Sequence, residues 1–231
     1  EAQLGGLGRA LKLLRRHYDG NLLAVAARTR SDDLRLFLAA QQFQRRPAYR
    51  TLETRLQRDI KAFFGDYRSA EAAGLQLLFD AADPGKLLDA CRDAAIAGLG
   101  WLDHEHSLQI HVSVVERLPV VLRAYVTCGL ILWDAISEVQ LVKIHVTSGK
   151  LTLLEHEDFD TNPVPALRRR IKVNVRRLDY DVFEYGSPQF PMPLLYRKSR
   201  YLHEDYPGYA EQASFDESLE RAGILGESAY G

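Results

Sequence analysis

The feature that most constrains this chain is a change of period. Up to about residue 100 the apolar residues recur every three or four positions, and from Leu108 onward they alternate. A period near 3.6 is a helix with one buried stripe; a period of two is a strand with one buried face. The pattern predicts an α+β fold: an N-terminal helical part, then a small, mostly antiparallel sheet with helices packed on it. The boundary is expected near residues 98–107, giving a helical subdomain over 1–100 and a mixed α+β subdomain over 101–231.

Within the first part, Leu7, Ala10, Leu11 and Leu14 sit at helical spacing, with Asp19-Gly20 as a turn behind them. Ser31, followed by Asp32 and Asp33, reads as the cap and acidic first turn of a second helix, which should stop near Arg45-Arg46-Pro47. Leu52, Leu56, Ile60, Phe63 and Phe64 mark one helix face and Arg55, Arg58 and Lys61 the other, with Gly65 as the stop. Further helices are predicted through Leu75–Phe79 and around Leu87–Cys91. Beyond the boundary, residues 108–112 read as a strand and 115–133 as a buried helix with Pro119 in its first turn. Residues 141–146 and 151–154 flank Thr147-Ser148-Gly149-Lys150 as a hairpin, 171–175 alternate again, and Pro207 to Arg221 close the chain as an amphipathic helix. There is no internal repeat.

Charge is balanced overall and unbalanced locally. The 231 residues carry 30 Lys+Arg and 31 Asp+Glu, a net −1. Residues 1–68 hold 14 basic and 7 acidic side chains, net +7, and residues 69–161 hold 6 and 14, net −8. Residues 162–203 hold 9 and 3, net +6, and residues 204–231 hold 1 and 7, net −6. Such zoning suits either an anionic partner or internal pairing between zones. A 46% hydrophobic content excludes a disordered chain. No apolar run reaches the roughly 18 residues of a membrane span, so no membrane partner is expected. Two cysteines, Cys91 and Cys128, cannot staple a chain this long, which points to a reducing, cytoplasmic setting. The chain opens on Glu1 rather than Met, so a further domain is expected ahead of it.

Catalytic motifs are scarce. His104, His106 and His111 with Asp103 and Glu105, and His156 with Glu157 and Asp158, lack the spacing that sets imidazoles on one helix face, so no metal is expected. There is no G-x-S-x-G elbow, both cysteines sit among apolar neighbours, and no phosphate loop precedes Gly149-Lys150. A metal-dependent nuclease would need a lysine two residues after Glu138, where Gln140 stands; Glu155, Glu157, Asp158 and Asp160 keep that alternative open as oxygen ligands. Gly5-Gly6-Leu7-Gly8 has no strand ahead of it, and Asn162-Pro163-Val164-Pro165 lacks the second adjacent proline and the aromatic of an amino-methyltransferase motif. No cofactor site, and no binding of S-adenosylmethionine, is expected of this chain, and whether it is an enzyme is left open.

The densest chemistry is basic. Arg168, Arg169, Arg170, Lys172, Arg176 and Arg177, followed by Arg197, Lys198 and Arg200, form the candidate DNA-binding set. If residues 171–177 form a strand, Lys172, Asn174 and Arg176 share a solvent face, while Ile171, Val173 and Val175 point inward. A basic row suits phosphate contacts, and the interleaved Tyr180, Tyr185, Tyr196 and Tyr201 could stack on unpaired bases. The alternative is a scaffold whose acidic tail and basic segment dock protein subunits.

Several strings also resemble a known family. Leu38-Ala39-Ala40-Gln41-Gln42-Phe43-Gln44-Arg45-Arg46-Pro47, Leu56 to Tyr67, and Leu118-Pro119-Val120-Val121-Leu122-Arg123-Ala124-Tyr125-Val126-Thr127-Cys128 resemble DNA phosphorothioation-associated methyltransferases. The likeness continues through Val142 to His145, Ser148 to Leu154, Asp158-Phe159-Asp160, Tyr196 to Tyr201 and Asp205 to Gln212, over about residues 30–231. The resemblance implies a bacterial protein of DNA modification and defence whose cofactor-binding methyltransferase portion lies ahead of the matched region. It therefore implies an accessory region facing DNA or partner subunits, and no catalytic residue carries over to this chain.

Overall fold

The computed structural model describes residues 7–43, 48–133 and 138–224. The chain divides into two compact units, Glu1–Leu75 and Gln76–Gly231.

In the first unit, α1 (Leu7–His17) is followed by α2 (Gly20–Ala40), α3 (Thr54–Phe64) and the start of α4 (Tyr67–Ala82). The carboxylate of Asp19 caps α2 by accepting from the Asn21 amide at 3.2 Å. The helix then runs straight through Ser31, so the cap expected there is corrected. Residues 22–27 hold neither glycine nor proline to break the helix, and Asp32 pairs with Arg35 one turn on, at 3.1 Å. The stop expected at Arg45-Arg46-Pro47 lies outside the described residues. Leu34, Leu38, Ile60 and Ala70 form the buried cluster, with Phe37, Leu52, Leu56 and Phe64 packed against it. This is the apolar stripe that the spacing predicts for α3, except that Phe63, expected on the same face, is 38% exposed; Gly65 ends the helix at φ 81°, a conformation that favours glycine.

The second unit is built on a six-stranded antiparallel sheet in simple sequential order. Its strands are β1 (Trp101–Asp103), β2 (Ser107–His111), β3 (Leu141–His145), β4 (Lys150–Glu157), β5 (Ala166–Asn174) and β6 (Asp179–Glu184). Alternation sends Leu108, Ile144, Leu151 and Val173 to one face, and all four are fully buried. Helix α6 (Val120–Leu132) lies on this face, with Pro119 at its N-cap. Gly129 permits the close approach, because a Cβ there would fall 2.3 Å from Leu151 Cδ2. Helix α5 (Pro84–Ile96), capped by Asp83, lies against α6, β1 and β2.

The opposite face is only partly covered. Phe159, Tyr201 and Leu202 pack with Leu141 beneath one end of the sheet, where α7 (Tyr209–Arg221) also lies. The fold is therefore α+β, helical first and antiparallel afterwards. Among the described residues no helix is long and apolar enough to cross a membrane.

Candidate functional site

The uncovered half of that second face is where polar side chains collect. Strand register sets Gln109, Lys143, Thr152 and Lys172 side by side across β2, β3, β4 and β5, with Asp181 of β6 next in the row. The neighbouring row carries Leu154, Arg170 and Phe183. These residues share one face because side chains alternate along every strand. The proline-rich segment after β6 folds back to wall the rows in. Leu167 N donates to Pro193 O at 2.7 Å and Leu195 N to Pro165 O at 2.9 Å.

The result is a groove of about 520 Å³. Lys143, Arg170 and Lys172 supply its cations; Gln109, His145, Thr152 and His156 its polar groups; Leu167, Tyr185, Leu194 and Tyr196 its apolar wall. Among the described residues no carboxylate lines it. Thr152 is 4% and His156 7% exposed. The Thr152 hydroxyl and His145 Nε2 lie 3.0 Å apart, within hydrogen-bond distance. Among the described residues, the buried Nε of Arg170 and Nδ1 of His156 have no hydrogen-bond partner.

The cations are crowded. Burial, then Arg170 and Lys150, push the Lys172 ammonium below its ordinary range, against the pull of Asp181. Burial, then Lys143, Lys172 and Lys150, push His145 down to about 4. Burial, then Lys198, does the same to His156, also to about 4. Arg170 stacks over Phe183, 4.9 Å from its centroid, and Lys172 lies 5.2 Å from the same ring. The cations lie against an aromatic face, with Asp181 next to Lys172 as the neighbouring carboxylate.

The nine sequence-derived candidates fall into different environments. Arg170 and Lys172 reach the groove. Arg176 and Arg177 are exposed in the turn between β5 and β6. Arg168 bonds Glu138 and Glu155, and Arg169 bonds Glu155 at 3.1 Å and Glu184 at 3.0 Å. Register explains the split. Glu155 pairs with Arg169 and His156 with Leu167, so Arg168 is an unpaired bulge residue. Arg197 pairs with Glu220 at 2.9 Å, and Arg200 lies 3.6 Å from the same carboxylate. Lys198 is 3% exposed and donates to the carbonyls of Phe159 and Asn162. Of the tyrosines singled out for stacking, Tyr185 and Tyr196 line the groove, Tyr180 packs edge-on against Trp133 and Tyr201 is fully buried.

Lys143, Gln109, His145 and Thr152 were outside the sequence-derived set. The signal for two of them was present, since the alternation of Leu141 to His145 already sets Lys143 and His145 on one side.

The acids considered as metal ligands serve elsewhere. Glu155 is 1% exposed and bound by two arginines, while Asp160 accepts from the Tyr206 hydroxyl. Among the described residues, no three His, Cys, Asp or Glu side chains converge as a metal set. Burial pushes the Cys91 thiol up to about 12 and that of Cys128 up to about 11, so neither is a ready nucleophile. Of the Gly5-Gly6-Leu7-Gly8 string, Leu7 and Gly8 open α1, and the first two residues lie outside the described residues.

No family model matches the chain, and neither a curated protein nor a solved structure does.

Proposed function

We propose that this chain is an accessory DNA-binding region of a bacterial DNA-modification or defence protein of the kind resembled by its sequence strings. One observation carries the reading: Lys143, Arg170 and Lys172 converge on one groove, and among the described residues that line it there is no carboxylate. Three crowded cations with a single neighbouring carboxylate among the described residues, Asp181 beside Lys172, favour an anion, and a run of phosphates supplies several at once. Arg176 and Arg177 are exposed in the turn that follows, where they add positive charge at the end of β5. The aromatic side chains around the groove suit sugar and base faces.

The test is duplex binding by fluorescence anisotropy across a salt series. Replacing Lys143, Arg170 and Lys172 together by Gln should flatten the plot of log affinity against log salt by up to about 2.7 units, at about 0.9 per lost phosphate contact. An unchanged slope in a folded triple variant would reject the reading.

A second reading, docking of a protein subunit, has its own observation. Strand β6 is a sheet edge with Tyr180, Val182 and Phe183 exposed. An unpaired edge of this kind accepts a further strand from a partner. This reading gains if the wild-type chain shows no salt-dependent binding to DNA.

A further inference from the structure

The groove has three kinds of lining, and no simple anion satisfies all of them. Inorganic phosphate would meet the cations and leave Leu167, Leu194, Tyr185 and Tyr196 uncovered. A hydrocarbon carboxylate would cover that wall and leave the buried His156 Nδ1 without a partner, a cost of about 1–3 kcal/mol for such a group. A ligand that fits carries an anion at one end, a flat apolar surface at the other, and hydrogen-bonding edges between.

We propose that the groove is a nucleotide-sized site that takes one nucleoside monophosphate unit, with its phosphate on Lys143, Arg170 and Lys172. Its heterocycle then lies along the Tyr185–Tyr196 wall, its polar edge toward Gln109, Thr152 and His156. The volume of about 520 Å³ falls in the range of small-molecule sites. A second observation stands apart from the charge count. Two residues that line the groove each carry a buried polar atom, Arg170 Nε and His156 Nδ1, with no hydrogen-bond partner among the described residues. His156 is more than nine-tenths buried, and its ring is held against that of Phe159, 5.7 Å between centroids, so the unpartnered Nδ1 is fixed in place. Folded chains rarely leave such groups unpaired without a use for them.

This inference rests on the reading of the sheet face as the nucleic-acid side, and it narrows contact from a backbone track to one unstacked nucleotide. The same chemistry has two sources: a free nucleotide, or a nucleotide within a single strand. Calorimetry on the whole chain separates them, using deoxyadenosine monophosphate, deoxyadenosine, deoxyribose phosphate, a short single-stranded oligodeoxyadenylate and a duplex of the same length.

Deoxyadenosine monophosphate should bind saturably, and removing either the base or the phosphate should weaken binding by roughly tenfold or more. Lys143→Gln should lose a similar factor and Lys143→Arg should retain most of the affinity, while Arg221→Gln, exposed on α7 and outside the groove, should stay within about twofold. An oligonucleotide that binds roughly tenfold tighter than the monophosphate assigns the site to a strand, and equal affinity assigns it to a free nucleotide.

Deoxyadenosine and deoxyribose phosphate both binding as well as the monophosphate would overturn the proposal, and so would indifference to Lys143→Gln. Duplex binding with a normal salt slope but no binding of the monophosphate or single strand rejects the nucleotide site and keeps the DNA reading. Monophosphate binding without duplex binding does the reverse.

Discussion

Two ends of one basic run sit less than ten residues apart and do different work. At the bulged start of β5, Arg168 and Arg169 close on Glu138, Glu155 and Glu184, so their charge is spent inside the fold. Arg170 and Lys172 turn to the other face, where an aromatic ring lies beneath them and, among the described residues, no carboxylate lines the groove. The first region resembles an ordinary internal ion-pair cluster, and the second is electrostatically incomplete. Charge density along the sequence therefore says little about charge available to a ligand. What decides is which face each residue takes and which carboxylates the neighbouring strands place there.

Acid should separate the two regions most strongly. The folded chain holds His156 neutral down to about pH 4, whereas an unfolded chain protonates its histidines near 6.5. Unfolding takes up a proton in that window, so the stability present above pH 6.5 is lost as pH falls toward 4, by on the order of 3 kcal/mol. Urea unfolding at pH 7 and pH 4.5 should show His156→Gln losing about 2–3 kcal/mol less than wild type between the two conditions. Equal losses would mean that the groove imidazole is not held neutral.

A smaller effect is expected at the ion-pair cluster. Glu155→Gln leaves two arginines facing a neutral group and should cost about 2–3 kcal/mol, below the value for a fully buried pair because both arginines are partly exposed. The smallest effect should come from the groove cation. Lys172→Gln removes crowding with Arg170 and Lys150 and should change stability by no more than about 0.5 kcal/mol, in the stabilising direction. If Lys172→Gln destabilised the fold as much as Glu155→Gln, the groove charge would be structural and the contrast between the regions would collapse.

Much of the fold was legible because burial writes itself into period. The stripe Leu52, Leu56, Ile60 and Phe64, the hairpin from Leu141 to Leu154 and the closing helix all follow from spacing, and all are present. Strand β6 was missed because all six of its residues are exposed, so no alternation of burial marks it. Strand β5 begins at Ala166, five residues ahead of the alternation at Ile171, because a bulge interrupts the period. The site was half legible. Arg170 and Lys172 stood out by density, but so did Arg168 and Arg169, whose acidic partners arrive from other strands and from Glu138. Lys143 was passed over because a single lysine in an apolar strand reads as a solvent-facing residue, and only cross-strand register places it between Gln109 and Thr152.

The bulge at Arg168 has a consequence for how this surface could change. In a strand, the parity of a residue's position decides which side it serves, and one unpaired residue resets that parity for everything before it. Without the bulge, Leu167 would turn to the side of Ile171; with it, Leu167 pairs with His156 and lines the groove. A single-residue insertion or deletion here acts on the sheet as a shift of frame acts on a coding sequence. It can exchange an apolar wall for a charged one without substituting any residue that lines it.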